Sequence, residues 1–255
     1  MKQDIVQSID RAFSIIEALG EGKKSLLEIT KMVELNKSTV HRLLHTLIYK
    51  GYVIQDESNS QYALTPKILH LGQQIIDDMD IIRIAKPFLN KLNEETGEVV
   101  HLVMIEGNNA IYIDKIEAKN TIRMYSYVGK SIPLYSSAVG KAFLALTDDK
   151  TRERYWDVLL NNIERFTEYT LMSEDELLKD FDGIRDRGYA IDREENELGV
   201  ICVAAPIYNH RKDIQYAISI STPKFRLTEE KIDAFGNAVA NTTADISKKL
   251  GYVFE

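Results

Sequence analysis

Residues 37–50 carry the pattern that most restricts what this chain can fold into. Five apolar residues recur there at helical spacing: Val40, Leu43, Leu44, Leu47 and Ile48. This spacing predicts a helix with one continuous buried stripe, begun by Asn36 or Ser38 as a cap. The opposite face holds polar and basic residues without a carboxylate: Lys37, Ser38, Thr39, His41, Arg42 and His45. A helix with such a face suits the major groove of DNA.

The residues around this helix predict two further helices and a hairpin. Helical spacing of apolar residues predicts a first helix, and Ser25 with Glu28 forms a capping box for a second. Short strands are expected at residues 52–54 and 61–64, on either side of a turn-rich segment. We interpret residues 1–66 as a winged helix-turn-helix domain. The alternative is a three-helix core with a surface hairpin and no role in DNA binding.

The charge distribution allows a nucleic-acid partner for this first segment. The whole chain has a net charge of −7, which opposes binding to a polyanion. Residues 1–70, however, hold nine Lys and Arg against eight Asp and Glu. Lys31, Lys37, Arg42 and Lys50 form a small basic face, so Lys50 joins the predicted DNA contacts. This face would hold double-stranded operator DNA weakly alone, so we expect at least two copies of the chain per site.

Composition and length favour a cytoplasmic protein of two domains. The 255 residues exceed one typical domain of roughly 100–150 residues. Hydrophobic residues make up 44% of the chain, and no apolar run approaches the ~20 residues that span a bilayer. The N-terminus has no apolar core of a secretory signal, so we expect no membrane partner. The single cysteine, Cys202, cannot form an internal disulfide, in agreement with a reducing compartment.

A second domain is expected after a connecting helix. Thr65-Pro66 can begin a helix over residues 67–79, whose apolar face packs either on a second subunit or on its own domain. Residues 80–255 mix helical and strand-like runs, one of which is a predicted strand at 121–128, without strict alternation. This order predicts an antiparallel sheet with helices on its faces, and hence an α+β chain.

The start of a predicted helix at residues 137–146 is a candidate anion site. Its free backbone N–H groups and the helix dipole can hold a carboxylate. The alternative is simple capping by Ser136 or Ser137. Gly140-Lys141 and Gly129-Lys130 resemble the end of a phosphate-binding loop but lack its first glycine, so nucleotide hydrolysis is not expected.

Four polar residues on three strand-like segments can converge on one pocket: Asp192, Cys202, Ser219 and Ser221. The two serines are two positions apart and would point to one face of a strand. We expect apolar walls from residues such as Leu102, Met104 and Met124. Each polar residue also has a structural alternative, since a lone cysteine often packs in a core and strand serines often bond to neighbouring backbone.

His101 raises the question of catalysis. With Cys202 and Asp192 it could form a metal site or a Cys–His nucleophile pair, so a metal- or thiol-dependent enzyme is the alternative function. The single cysteine and the lack of a metal-ligand spacing argue against both sites. We therefore predict no catalytic residue, no metal and no cofactor, and expect His101 to line the pocket or lie on an edge strand.

Four stretches of the sequence together resemble one family of regulators. Residues 25–71, SLLEITKMVELNKSTVHRLLHTLIYKGYVIQDESNSQYALTPKILHL, resemble the DNA-binding half of the IclR family of bacterial transcription regulators. PLYSSAVGKAFLA at 133–145, RGYAIDREENELGVICVAAPI at 187–207 and AISISTPKFRLT at 217–228 are similar to its effector-domain motifs. Thr222-Pro223 stands where Gly-Pro is commoner in the family, which leaves the shape of that turn open.

The resemblance implies a regulator, most simply a repressor, whose second domain is a GAF-like or profilin-like sensor of a small organic-acid effector such as a keto acid or sugar acid. It implies that the backbone amides at Ala138 and Val139 face the effector. It further implies that Asp192 accepts a hydrogen bond from the ligand, that Ser219 and Ser221 bond through their hydroxyls, and that Cys202 is a weak donor. The half-site argument requires a homodimer, and the resemblance suggests a homotetramer.

Overall fold

The computed structural model describes residues 5–71, 80–119 and 125–253. The chain divides into two compact units, Met1–Asp78 and Met79–Glu255. Among the residues that the structure describes, no helix is both long and apolar enough to span a bilayer.

The described residues of the first unit form three helices and a hairpin ahead of the helical residues 67–71: α1 Gln7–Gly20, α2 Leu26–Met32, α3 Lys37–Tyr49, β1 Val53–Gln55 and β2 Tyr62–Leu64. The predicted capping box at Ser25 and Glu28 is present, because each residue bonds to the backbone of the other. Asn36 caps α3 by accepting from the Thr39 N–H at 2.8 Å. These caps satisfy N–H groups that a helix start otherwise leaves unpaired.

The buried stripe of α3 is narrower than the sequence predicts. Val40, Leu44 and Leu47 are buried, and they pack with residues of α1, α2 and the hairpin in one apolar core. Leu43 is only half-buried, and Ile48 is 37% exposed. The prediction that Ile48 is buried is wrong, because Ile48 lies at the edge of the stripe and outside the apolar core that covers Val40, Leu44 and Leu47.

The predicted connecting helix is described only at its start. Thr65 accepts from the Lys67 N–H and donates to the Gly51 carbonyl, and residues 67–71 are helical. The remaining residues of the predicted range, including Ile75 and Ile76, lie outside the described residues.

The second unit is a six-stranded antiparallel sheet between helices. Its elements follow in chain order: α4 Asp80–Thr96, β3 Val99–Glu106, β4 Asn109–Ile116, β5 Ser131–Pro133, α5 Ala138–Leu146, α6 Asp149–Leu160, α7 Glu174–Arg187, β6 Ala190–Arg193, β7 Val200–Tyr208, β8 Ile214–Pro223, a 3₁₀ turn Lys224–Arg226 and α8 Glu229–Lys249. The strand order is β5-β4-β3-β8-β7-β6. One face packs on α4 and α8, and the other packs on α5, α6 and α7. The predicted α+β class is confirmed.

The strand predicted at residues 121–128 is wrong in the part that the structure describes. Residues 120–124 lie outside the described residues, and Tyr125–Val128 forms a bend and a turn. Gly129 adopts a φ of +93°, which favours glycine, and its N–H bonds to the Tyr112 carbonyl at 2.8 Å. The chain continues from this turn into β5, and β5, not the predicted strand at 121–128, pairs with β4.

Candidate functional site

The outer face of α3 is open to solvent. Six of the seven predicted DNA contacts are exposed: Lys37, Ser38, His41, Arg42, His45 and Lys50. Thr39 is half-buried, and its N–H bonds to the capping side chain of Asn36. The structure thus places all seven residues on or directly after one helix, at positions that another molecule can reach.

Two exposed side chains extend this surface beyond the predicted set. Tyr49, in the last turn of α3, is 82% exposed. Lys67 donates to the Lys50 carbonyl at 2.7 Å and lies 4.4 Å from the ring centroid of Tyr52. The Pro66-Lys67 helix start was visible in the sequence, but only the fold brings Lys67 back to the end of α3.

The second unit contains two small adjoining cavities. They share Tyr112, Asp192, Asn196 and Cys202 in their walls. Ser221 and His101 line the first cavity, and Ser219, Ala138 and Val139 line the second. All six predicted effector-binding residues therefore lie in the walls of these two cavities, which together are called the recess below.

Strand register brings the polar residues together. Asp192 pairs with Cys202 across β6 and β7, and Cys202 pairs with Ser221 across β7 and β8. The Cys202 sulfur and the Ser221 Oγ are 3.2 Å apart. Ser219 and Ser221 share a face, as the spacing of two predicts, and each hydroxyl lies 3.4 Å from His101 Nδ1.

His101 lies in the middle of the sheet and is neutral. Its Nε2 bonds to Ser126 Oγ at 2.8 Å, and its ring stacks on Tyr112 at 4.3 Å between centroids. Burial, followed by the charges of Lys115 and Lys130, lowers the pKa of His101 to about 3. His101 is therefore a pocket residue on an interior strand, which confirms the first of its two predicted placements.

The start of α5 lines the second cavity. Ser137 caps the helix by accepting from the Gly140 N–H at 3.2 Å, so Ser137, one of the two predicted caps, does form one. Ala138 and Val139 stand in the first turn, where helix N–H groups have no partner within the helix. Gly140 lets this turn approach the backbone of Leu134, because an added Cβ would lie 2.2 Å from it.

A buried ionic cluster lies behind α5. Lys141 is fully buried, and its Nζ lies 2.5 Å from Glu195 Oε1 and 2.8 Å from Asp180 Oδ2. Burial alone would lower the pKa of Lys141, but Glu195 and Asp180 outweigh it and raise the pKa above its ordinary value. One side chain thus connects α5, α7 and the loop after β6.

Asp192 is the buried carboxyl group of the recess. Its Oδ1 accepts from the Glu195 N–H at 2.7 Å and from the Asn196 N–H at 3.4 Å. Burial first, and the neighbouring Glu195 second, raise the pKa of Asp192 from 3.8 to about 7. The group therefore changes its protonation state near neutral pH.

The predicted apolar walls are wrong where the structure describes them. Leu102 and Met104 lie on the opposite face of β3, in the core beneath α4 and α8. Both faces of this central strand are covered, so alternation alone does not reveal which face meets the cavity. Met124 lies outside the described residues.

The sequence analysis did not predict several cavity residues, among them Tyr112, Ser126 and Asn196. Tyr112 pairs with Val103 and packs on the same face of the sheet, just ahead of a bulge in β4 that shifts the register for the residues after it. Asn196 lies in a family-like motif, and Ser136 Oγ is 3.4 Å from its side-chain oxygen. The motif could have predicted Asn196 as a cavity residue, whereas nothing in the sequence marks the position of the bulge.

The residues of the recess give little support to a metal- or thiol-dependent enzyme. No group of three or more His, Cys, Asp or Glu side chains suited to a metal ion occurs among the described residues. Burial, followed by the charge of Asp192, raises the pKa of the Cys202 thiol well above its usual range. The reactive thiolate form of Cys202 is therefore disfavoured.

The comparisons with known proteins identify the family. Residues 73–248 match the model of the bacterial transcriptional regulator IclR C-terminal domain, and residues 8–57 match the IclR helix-turn-helix domain. The chain belongs to the IclR family. This membership makes it a DNA-binding transcriptional regulator and not an enzyme, so the enzyme alternative is unsupported.

The similarity to known IclR-family proteins extends over nearly the whole chain. The HTH-type transcriptional regulator KdgR of Escherichia coli strain K12 is 35% identical over 253 residues, or 98% of this chain and 94% of KdgR. The HTH-type transcriptional repressor AllR of the same strain is 33% identical over 247 residues, or 96% of this chain and 90% of AllR. The crystal structure of the Thermotoga maritima IclR matches with a TM-score of 0.77 at 32% identity, covering 97% of this chain and all of that one. These matches fit a GAF-like or profilin-like second unit.

Proposed function

We propose that this IclR-family protein is a repressor that binds operator DNA and responds to a small organic acid held in the recess of its second unit. The observation that carries the proposal is the convergence of six residues from separate segments on two adjoining cavities. Membership of the family supplies the DNA-binding function, and AllR, named as a repressor, supports the direction of control. The protein would act in the cytoplasm, where bacterial DNA lies.

The DNA contacts of the proposal come from the exposed face of α3. Arg42 projects from the middle of the helix, where a guanidinium can bond to base edges. Lys37 and Lys50, at its two ends, suit phosphates. Ser38, Thr39, His41 and His45 complete the face. A face this small needs a second copy on the same operator, so we propose a homodimer or homotetramer.

The ligand chemistry follows from the walls of the recess. The first-turn amides at Ala138 and Val139 suit one carboxylate, and the hydroxyls of Ser219 and Ser221 suit an oxo or hydroxyl group on the neighbouring carbons. A sugar-derived keto acid, a small dicarboxylate and a compact aromatic acid all carry the carboxylate that this helix start would hold.

A thermal-shift screen of the full chain tests the ligand. 2-Oxobutanoate, succinate, benzoate and gluconate represent the acid classes, and an acid at 100 times its Kd should stabilise the protein by about 2.7 kcal/mol. Ser219→Ala should reduce the shift, while Ser131→Ala, an exposed serine on β5, should leave it intact. No shift with any acid class would contradict the effector proposal.

Binding to labelled DNA tests the regulator. The protein should prefer DNA from its own promoter region over random DNA of equal length at moderate salt, and the active acid should change that affinity. Asp192→Ala should remove the response to the acid but leave DNA binding of the free protein near intact. Equal affinity for both DNAs, with and without the acid, would refute the function.

A further inference from the structure

Asp192 is a buried acid without a cation of its own. It is 3% exposed and lines both cavities. Among the described residues no Lys or Arg forms an ion pair with it, and its direct partners are two backbone N–H groups on one oxygen. A buried carboxylate with this little compensation favours the protonated form.

The titratable groups around Asp192 come from several of the surrounding elements. They are His101 on β3, Tyr112 on β4, Cys202 on β7, Lys130 before β5, Lys141 on α5, and Glu195 with Glu197 on the loop after β6. His101, Tyr112 and Cys202 are neutral at physiological pH, because burial shifts their pKa values away from the charged forms. Lys130 instead donates to the Tyr125 carbonyl.

Glu195 follows Asp192 by three residues, and several hydrogen bonds hold it in place. Its side chain is 7% exposed and bonds to Lys141 at 2.5 Å, while its own N–H bonds to Asp192. Its carbonyl accepts from Thr170 Oγ1 at 2.7 Å. The charge of Glu195 favours the protonated form of Asp192, the charge of its partner Lys141 opposes it, and burial is the largest cause.

We propose that burial and the neighbouring Glu195 charge favour the neutral carboxylic acid form of Asp192, so that the recess binds an organic-acid anion together with one proton. The proton comes from solvent whenever Asp192 is ionised before binding, and the resulting carboxyl group donates a hydrogen bond to the ligand. No bond other than the Asp192 O–H bond forms or breaks. This inference rests on the proposed function, since it specifies how the same site selects and holds its effector.

A pH dependence follows from this coupling. With a pKa of about 7 for Asp192 in the free protein, the affinity for an acid that is fully ionised should fall about tenfold between about pH 6 and about pH 8. Proton uptake on binding should rise from about 0.1 to about 0.9 per site over the same range. Asp192→Asn offers a permanent amide donor, so its affinity should not change with pH.

The first arm of the test needs no ligand. Carbon-13 NMR of the full chain, labelled at aspartate carboxyl carbons and assigned with Asp192→Asn, should show Asp192 titrating near pH 7. Glu195→Gln, which removes the charge and keeps the shape, should lower that midpoint by about one unit or more. Glu153→Gln, an exposed position on α6, should not move it. A midpoint below about pH 5 in the unchanged protein, or no shift in Glu195→Gln, would overturn the proposal.

The second arm uses the acid with the largest thermal shift among 2-oxobutanoate, succinate, benzoate and gluconate. Isothermal titration in buffers of different ionisation enthalpy counts the protons taken up by the unchanged protein, so the arm stays decisive if Glu195→Gln fails to fold. Binding without proton uptake at about pH 8 would overturn the inference and leave the proposed function standing. Binding by none of the four acids would overturn both.

Discussion

Lys141→Met should destabilise the second unit strongly, although the change introduces no polar group. Lys141 is fully buried, and its Nζ contacts Glu195 at 2.5 Å and Asp180 at 2.8 Å. Removing one member of a buried ionic cluster costs about 3–5 kcal/mol, because the remaining charges lose their compensation. Methionine matches the lysine stem in length, so the added cost of an empty cavity should be small. The melting temperature should fall by about 6–20 °C.

The pH dependence of this loss of stability distinguishes an effect of charge from an effect of packing. Without Lys141, the folded-state pKa of Glu195 rises further above its ordinary 4.5. A group whose folded pKa is raised contributes full stability at low pH and loses it as pH rises through the folded value. The deficit of Lys141→Met should therefore be smaller near pH 5 than near pH 8, and adding Glu195→Gln should recover part of it.

Chemical denaturation of the full chain, followed by circular dichroism at several pH values, measures this deficit. Lys91→Met is the matched control, since Lys91 is 74% exposed and its nearest carboxylate is 3.8 Å away in Glu95. Lys91→Met should cause little or no loss of stability. The reasoning is refuted if Lys141→Met costs less than about 1 kcal/mol, or if its deficit does not depend on pH.

Three further changes test other parts of the structure. Asp192→Asn should stabilise the protein more at about pH 8 than at about pH 5, because the folded-state pKa of about 7 lies above the ordinary 3.8 and ionisation opposes folding between them. Equal shifts of melting temperature at both pH values would contradict this. Gly140→Ala should cost about 1–3 kcal/mol in urea denaturation, because its Cβ would lie 2.2 Å from the Leu134 backbone. Gly183→Ala, which meets only the end of Arg187 at 3.1 Å, should be neutral or slightly stabilising, and equal losses would argue against the close approach of Gly140. Arg42→Ala should weaken operator binding by about 1–3 kcal/mol and relax base choice, whereas Lys37→Ala should lower affinity evenly and flatten the salt dependence. Equal loss on all DNA sequences in the Arg42 variant would make it a phosphate contact.

Local signals in the sequence account for the helix ends. Ser173 and Gly188 flank α7, which runs over Glu174–Arg187. Ser173 forms a capping box with Glu176, while Gly188 adopts a φ of +79°, which few other residues tolerate. Such signals involve residues that are neighbours in the chain, so the sequence contains them in full.

The sequence alone does not predict contacts between segments that are distant in the chain. Lys141 stands in an apolar helix, and its partners Asp180 and Glu195 lie far along the chain, so nothing local predicts that it is buried. The bulge in β4 likewise depends on register against β3, which local patterns do not fix. The polar row of Asp192, Cys202 and Ser221 was predictable only because recognisable motifs marked each strand.

The central claim is that acid in the recess and DNA on α3 influence each other. Fluorescence anisotropy of a labelled promoter duplex, with and without a saturating concentration of the active acid, measures this coupling directly. We expect the acid to weaken DNA binding by about 5–150-fold, and DNA to weaken acid binding by the same factor. An unchanged DNA affinity at an acid concentration that fills the recess would contradict it.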